Sequence, residues 1–220
     1  MLVPDSKLFN LDAFAMHDKP KWEFDTLGDT KIAYAYDLYK DLSAVRRELE
    51  KLPMVPVHNP DNDNLFDARK SHSHTMNHTG VPYLDSFRKL IFNISAVPLH
   101  RLSMKNQIAV NCFTYKDFPR DTHYYNPHRD RIAQEFETFA TVIFLNDHYE
   151  EGEGMNFYDT DSSMKDIVVP KERFPVAKFV QGVPNMGIVF NGLLTHGQTI
   201  ATDQFKNEMR YTQAIFVCVT

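Results

Sequence analysis

The residues of this chain best suited to chemistry are His128 and Asp130 in YYNPHRDRI, His196 in GLLTHGQTI, and Arg210 with Thr212 in EMRYTQAIF. His128 and Asp130 are separated by one residue, so on a strand both side chains project from the same face. His196 falls at the edge of another strand-like run, and Arg210 and Thr212 share one face of the last run. Two imidazoles and a carboxylate can occupy one face of an octahedral metal ion and leave the opposite positions open. That is the arrangement of non-haem Fe(II) sites that activate O2. An arginine with a neighbouring hydroxyl can anchor a carboxylate through charge-assisted hydrogen bonds. The anchored group would belong to a 2-oxo acid filling two of the open metal positions.

The elements that must position these residues are β-strands. From about Asn106 onward, QIAVNCFTY, FETFATVIFLN, GMNFYDT, PVAKFV, GIVFN, GQTIAT and EMRYTQAIFVCVT are short runs between Gly, Pro, Asn or Asp punctuation. Their close spacing predicts a sandwich, jelly roll or barrel rather than a βαβ fold. The first hundred residues have a different texture. Ile32, Tyr36, Tyr39, Leu42, Val45 and Leu49 recur at spacings of three and four. That predicts one helix from Asp29 to Leu52, capped by Asp29 or Thr30, stopped by Pro53, and bracing the β-rich part through its tyrosines. The polar segment 55–80 is expected to be a long loop or a set of short pieces. A second amphipathic helix is expected from about Pro82 to Asn93.

In order and approximate spacing, His128-Arg129-Asp130, the distal His196 and Arg210-Tyr211-Thr212 resemble a known family pattern. It is the H-x-D, distal H, R-x-S/T pattern of the Fe(II)/2-oxoglutarate-dependent dioxygenases of the prolyl-hydroxylase-like type. The stretches TVIFLNDHYEEGEGMNFY and MGIVFNGLLTHG are similar to further segments of that family, and the resemblance spans about Gln107 to Val219. It implies an α+β, mainly β fold: a double-stranded β-helix (jelly roll, cupin-like) buttressed by N-terminal helices. Residues 1–220 would form a single domain, with 1–100 as a helical and loop region packing on a catalytic core at 101–220. The resemblance implies His128, Asp130 and His196 as ligands of Fe(II), and 2-oxoglutarate as a cosubstrate that is converted with O2 to succinate and CO2. Arg210 and Thr212 would bind the distal carboxylate of 2-oxoglutarate, with Tyr115 helping to hold it. Asp130, which the halogenating branch replaces by a small residue, directs the reading to oxygenation of an aliphatic C–H. Hydroxylation comes first, with desaturation or cyclisation as variants. The interval from His196 to Arg210 is a few residues longer than in many relatives, through TDQFKNE.

Two other readings use the same residues. One is a metal-dependent lyase or hydrolase on a cupin fold that does not use 2-oxoglutarate. The other is a non-enzymatic jelly-roll binding module whose histidines are structural. Dependence on 2-oxoglutarate separates the first reading from the lyase or hydrolase, and a stable bound metal separates both from the module.

Composition narrows the partners. A net charge of −5 offers no basic footprint for nucleic acid and no basic face for an anionic membrane. The expected substrate is a small molecule, an amino acid or a peptide, and the sequence assigns no oligomeric state. Without a signal-peptide pattern or an apolar run long enough to span a bilayer, the chain reads as cytoplasmic, with Cys112 and Cys218 as buried free thiols. Tyr125 and Asn126, just before the H-x-D, could face cosubstrate or substrate, and Arg131 could pair with an anionic substrate. His72, His74 and His78 lack a carboxylate or cysteine at ligand spacing and read as loop residues. His123 and His148 read as rim or loop residues for want of a partner at i±2.

Overall fold

The computed structural model describes residues 10–51, 55–56, 66–71, 89, 91–92, 95, 97–103, 108–115, 118–130, 137–160 and 168–219. The strands are β1 (Lys21–Leu27), β2 (Thr30–Tyr36), β3 (Val55–Pro56), β4 (Phe66–Ser71) and β5 (Leu102–Ser103). Then come β6 (Ile108–Tyr115), β7 (His123–Tyr125), β8 (Thr138–Phe144), β9 (Gly154–Tyr158) and β10 (Val168–Pro170). β11 (Val176–Gln181), β12 (Gly187–Asn191), β13 (His196–Thr199) and β14 (Arg210–Val219) complete the set. Helix α1 spans Leu42–Leu49. Among the described residues the architecture is mainly β with few helices, and no helix is long and apolar enough to cross a membrane.

Nine strands form one antiparallel sheet in the order β1-β2-β12-β8-β14-β6-β4-β3, with β5 beside β14. A three-stranded sheet, β11-β9-β13, lies apart from it, and a backbone bridge between His128 and His196 adds the His128 segment to its edge. β7 and β10 make a separate antiparallel pair. The seven runs read as strands from Asn106 onward correspond to β6, β8, β9, β11, β12, β13 and β14.

The large sheet is covered on both faces, so its central strands show little alternation of polarity. In β8, Ala140 and Phe144 pack with Met155, Phe157 and Val180 of the small sheet. Their neighbours Phe139 and Ile143 join a second core on the other side, with Val45 and Leu49 of α1. Each such side chain, fully buried, is worth about 1.5–3 kcal/mol of transfer free energy.

This double coverage corrects the helix expected from Asp29 to Leu52. Thr30–Tyr36 is strand β2, paired with β1 on one side and β12 on the other. Ile32 and Tyr34 face the small sheet while Ala33 and Ala35 face α1, so the run is apolar from Ile32 to Tyr36. An apolar run of that length fits a buried strand as well as a helix turn, and its long-range pairing decides. The helix begins later, with Asp41 as N-cap: its carboxylate accepts the Ala44 N–H at 2.8 Å. Segment 55–80 contributes β3 and β4 to the large sheet. His72, His74, His78 and Arg131 lie outside the described residues, as does most of the second expected helix; its residues 89, 91 and 92 are helical.

Candidate metal centre

Two chain segments meet back to back to assemble the triad. The His128 N–H donates to the His196 carbonyl at 2.8 Å, and the His196 N–H donates to the His128 carbonyl at 2.9 Å. The Asp130 N–H donates to the Gly192 carbonyl at 2.9 Å, and the Gly192 N–H to that of Thr138 at 2.7 Å. Two glycines permit this approach. A Cβ on Gly192 would lie 2.5 Å from the Asp130 carbonyl oxygen, and one on Gly197 would lie 2.9 Å from that of Tyr125. His128 and Asp130 thus sit on an extended segment held by a single bridge, not within a full strand.

The donor atoms converge. His196 Nε2 is 3.2 Å from Asp130 Oδ2, and His128 Nε2 is 3.5 Å from Asp130 Oδ1. One ligand atom from each of the three residues lies within 4.8 Å of the others, the one such group among the described residues. The ring tautomers follow from the second nitrogens. His128 Nδ1 lies 2.7 Å from the Asn126 carbonyl and His196 Nδ1 2.9 Å from that of Leu194. A carbonyl can only accept, so both Nδ1 atoms carry the proton and, in the neutral rings, both Nε2 lone pairs face the carboxylate. Three acceptors aimed at one point repel each other unless a cation lies between them. The residues therefore fit a metal of the non-haem Fe(II) type.

The surroundings are graded. His196 is buried against the Phe190 ring at 4.5 Å, whereas the His128 side chain is 37% exposed, so the centre opens to solvent on the His128 side. For Asp130, burial opposes ionisation. When the rings of His196 and His128 are protonated, their Nε2–H groups and positive charge outweigh it and hold the carboxyl well below the usual carboxylate range.

The anion-binding residues expected from the sequence lie on β14. Arg210 is 2% exposed, and Thr212 is buried two residues along the same face. Arg210 Nη2 donates to the Gly154 carbonyl at 2.9 Å and Nη1 donates to Gln198 Oε1, while Nε is buried with no acceptor among the described residues. The longer interval after His196 forms a helical turn, Gln204–Asn207, whose Phe205 lies 5.6 Å from the guanidinium carbon. Burial pushes the Tyr125 hydroxyl up, offset in part by the charge of Arg210, so Tyr125 stands near Arg210 as an uncharged O–H. Tyr115 ends β6 opposite Phe66; its side chain lies outside the described residues. His148 is exposed, with Glu208 Oε1 3.9 Å away, and His123 lies on β7 beside Thr122; neither belongs to the triad group.

Three contributions escaped the sequence reading. Gln198 touches Arg210, and its position two residues after His196 on a strand was a usable signal. Arg129, between two ligands, donates to Thr195 Oγ1 at 3.1 Å and so braces the two triad segments from behind. The close approach at Gly192 and Gly197 had no local signature.

No family model matches the chain, and no curated protein matches it. Solved structures do. EvdO2 from Micromonospora carbonacea var. aurantiaca aligns with a TM-score of 0.55 at 11% identity, over 86% of this chain and 86% of that one. SnoK, a non-haem α-ketoglutarate-dependent carbocyclase from nogalamycin biosynthesis, aligns at 0.53 and 12% identity, over 86% and 79%. SnoN, the non-haem α-ketoglutarate-dependent epimerase from the same biosynthesis, aligns at 0.51 and 15% identity, over 80% and 71%. EvdO2 has been solved with 2-oxoglutarate, and SnoN with Fe3+, α-ketoglutarate and nogalamycin RO. The chain shares the fold of these proteins.

Proposed function

We propose that this protein is an Fe(II)- and 2-oxoglutarate-dependent oxygenase acting on an aliphatic C–H of a small molecule, with hydroxylation as its first activity. The observation that carries the reading is the pairing of two features inside one fold. A face of three metal donors converges at His128, Asp130 and His196, and a buried guanidinium at Arg210 has no carboxylate partner among the described residues. We read the two packed sheets as a double-stranded β-helix, and the buried free thiol of Cys218 agrees with a cytoplasmic setting.

His128 and His196 would hold the metal through Nε2, and Asp130 through a carboxylate oxygen. When bound, Fe(II) and 2-oxoglutarate supply an oxidant for C–H bonds from O2, with succinate and CO2 as co-products. The chain's own work is placement. The Nδ1 bonds to Asn126 and Leu194 keep both rings turned toward the centre, and Phe157 and Phe190 exclude water behind His196. Arg210 holds the distal carboxylate, with Thr212, Tyr115 and the Tyr125 hydroxyl as further hydrogen-bonding groups. The fold also accommodates the epimerase SnoN and the carbocyclase SnoK, so the product is what separates hydroxylation from cyclisation. The open side at His128 is where a substrate would approach.

The test needs no substrate. Anaerobic addition of Fe(II) and then 2-oxoglutarate to metal-free protein should produce the visible charge-transfer band of a chelated 2-oxo acid, absent in His196→Ala. Tight metal binding without the band would favour a metal-dependent lyase or hydrolase, and no metal binding would leave a binding module.

A further inference from the structure

A buried cation held only by neutral acceptors is costly, because desolvation is not repaid by an opposite charge. Arg210 is in that position. Its two bonded Nη groups reach an amide oxygen and a backbone carbonyl, its Nε has no acceptor among the described residues, and the rings of Phe144 and Phe205 stand 5.9 and 5.6 Å from its guanidinium carbon. The residue directly against the guanidinium is Gln198. A glutamate there would have nearly the same shape and would neutralise the charge internally.

Gln198 is also in line with the metal centre. It follows His196 by two residues on β13, so both side chains leave the same face of the strand. Their Cα atoms are about 6.8 Å apart in an extended chain, the length of a short diacid. Gly154, whose carbonyl takes the other bond from Arg210, pairs with Thr199 on the neighbouring strand.

We propose that Gln198 is the positioning residue that keeps the charge of Arg210 available, so that the guanidinium is neutralised only by the far carboxylate of a diacid whose oxo-acid end reaches the metal. This rests on the 2-oxoglutarate reading above and sharpens it. Gln198 makes the site selective for oxo diacids over oxo monoacids.

The experiment is calorimetric titration of the Mn(II)-loaded protein with 2-oxoglutarate and with pyruvate, for wild type, Gln198→Glu and Gln198→Ala. Gln198→Glu should bind Mn(II) as wild type does, melt no lower, and lose about 100-fold in 2-oxoglutarate affinity, with pyruvate affinity nearly unchanged. Gln198→Ala should lose about 3–10-fold for 2-oxoglutarate, the worth of one neutral hydrogen bond. Wild-type 2-oxoglutarate affinity in Gln198→Glu overturns the inference. Equal losses for both acids also overturn it, since they mark a merely structural role. If wild type binds Mn(II) but no 2-oxoglutarate, the proposed function fails and this inference with it.

Discussion

Along β14, Gln213, Ile215 and Val217 face one side of the large sheet while Arg210, Thr212 and Phe216 face the other. The outer side is a stabilising face. Ile215 and Val217 pack with Phe139, Ile143, Val45 and Leu49, and the Tyr39 hydroxyl donates to Gln213 Oε1 at 2.5 Å. A cation of this side, Arg46 of α1, lies over the Tyr211 ring and has the Glu50 carboxylate 3.5 Å away. The inner side holds a buried cation with no counter-charge among the described residues, and the converging donor atoms of His128, Asp130 and His196. One strand therefore faces two environments through its period of two: its outward residues pack in an apolar core, and its inward ones include the buried polar Arg210 and Thr212.

Removing a metal donor should break this division most severely. Asp130→Ala and His196→Ala should each lose at least about 100-fold in Mn(II) affinity and all turnover while remaining folded. Metal affinity kept in either variant would remove the triad from the inner face. Next comes Arg210→Met, which should weaken 2-oxoglutarate binding by roughly 2–4 kcal/mol and hold or raise the melting temperature, because a buried unpaired charge is replaced by an apolar chain. A lower melting temperature with unchanged 2-oxoglutarate affinity would make Arg210 structural. Gly192→Ala should force the Asp130 segment outward and cost about 10–100-fold in metal affinity, read by the same Mn(II) titration.

A smaller effect is expected in acid. Because the folded-state pKa of Asp130 is depressed, its contribution to stability is present above the unfolded value of about 4 and is lost as pH falls through the folded value. Denaturation curves of metal-free Asp130→Asn should accordingly fall less steeply below about pH 4 than those of wild type. The smallest change belongs to the outer face. Tyr39→Phe should cost about 1 kcal/mol, a drop of about 2–4 °C in melting temperature, with metal and 2-oxoglutarate affinity untouched.

The sequence was most legible where one rule acted locally. β6, β8, β9 and β11 to β14 stood out because β-branched and aromatic runs end at Gly, Pro, Asn or Asp. β2 was misread because a strand buried on both faces loses the polar alternation that distinguishes it from a helix, and its partner β12 lies far along the chain. β1, β3 and β4 escaped as strands because their places at one end of the large sheet or the other rest on pairing with distant segments. Residue type and order singled out His128, Asp130 and His196, which the structure brings together, and Arg210 and Thr212, which it buries on one face of β14, whereas Gln198 and Arg129 stand out only through contacts across strands.

By itself the sequence determined the residue types, the two-residue spacing of His128 and Asp130 and of Arg210 and Thr212, and a net charge of −5. Tertiary structure alone decided the rest. Bonds between the His128 and His196 segments bring the two triad arms together, two glycines allow that approach, and Gln198 meets Arg210. The physical reason is range: side-chain spacing along a strand is set by neighbouring residues, but the convergence of donors is set by hydrogen bonds and packing between segments distant in sequence.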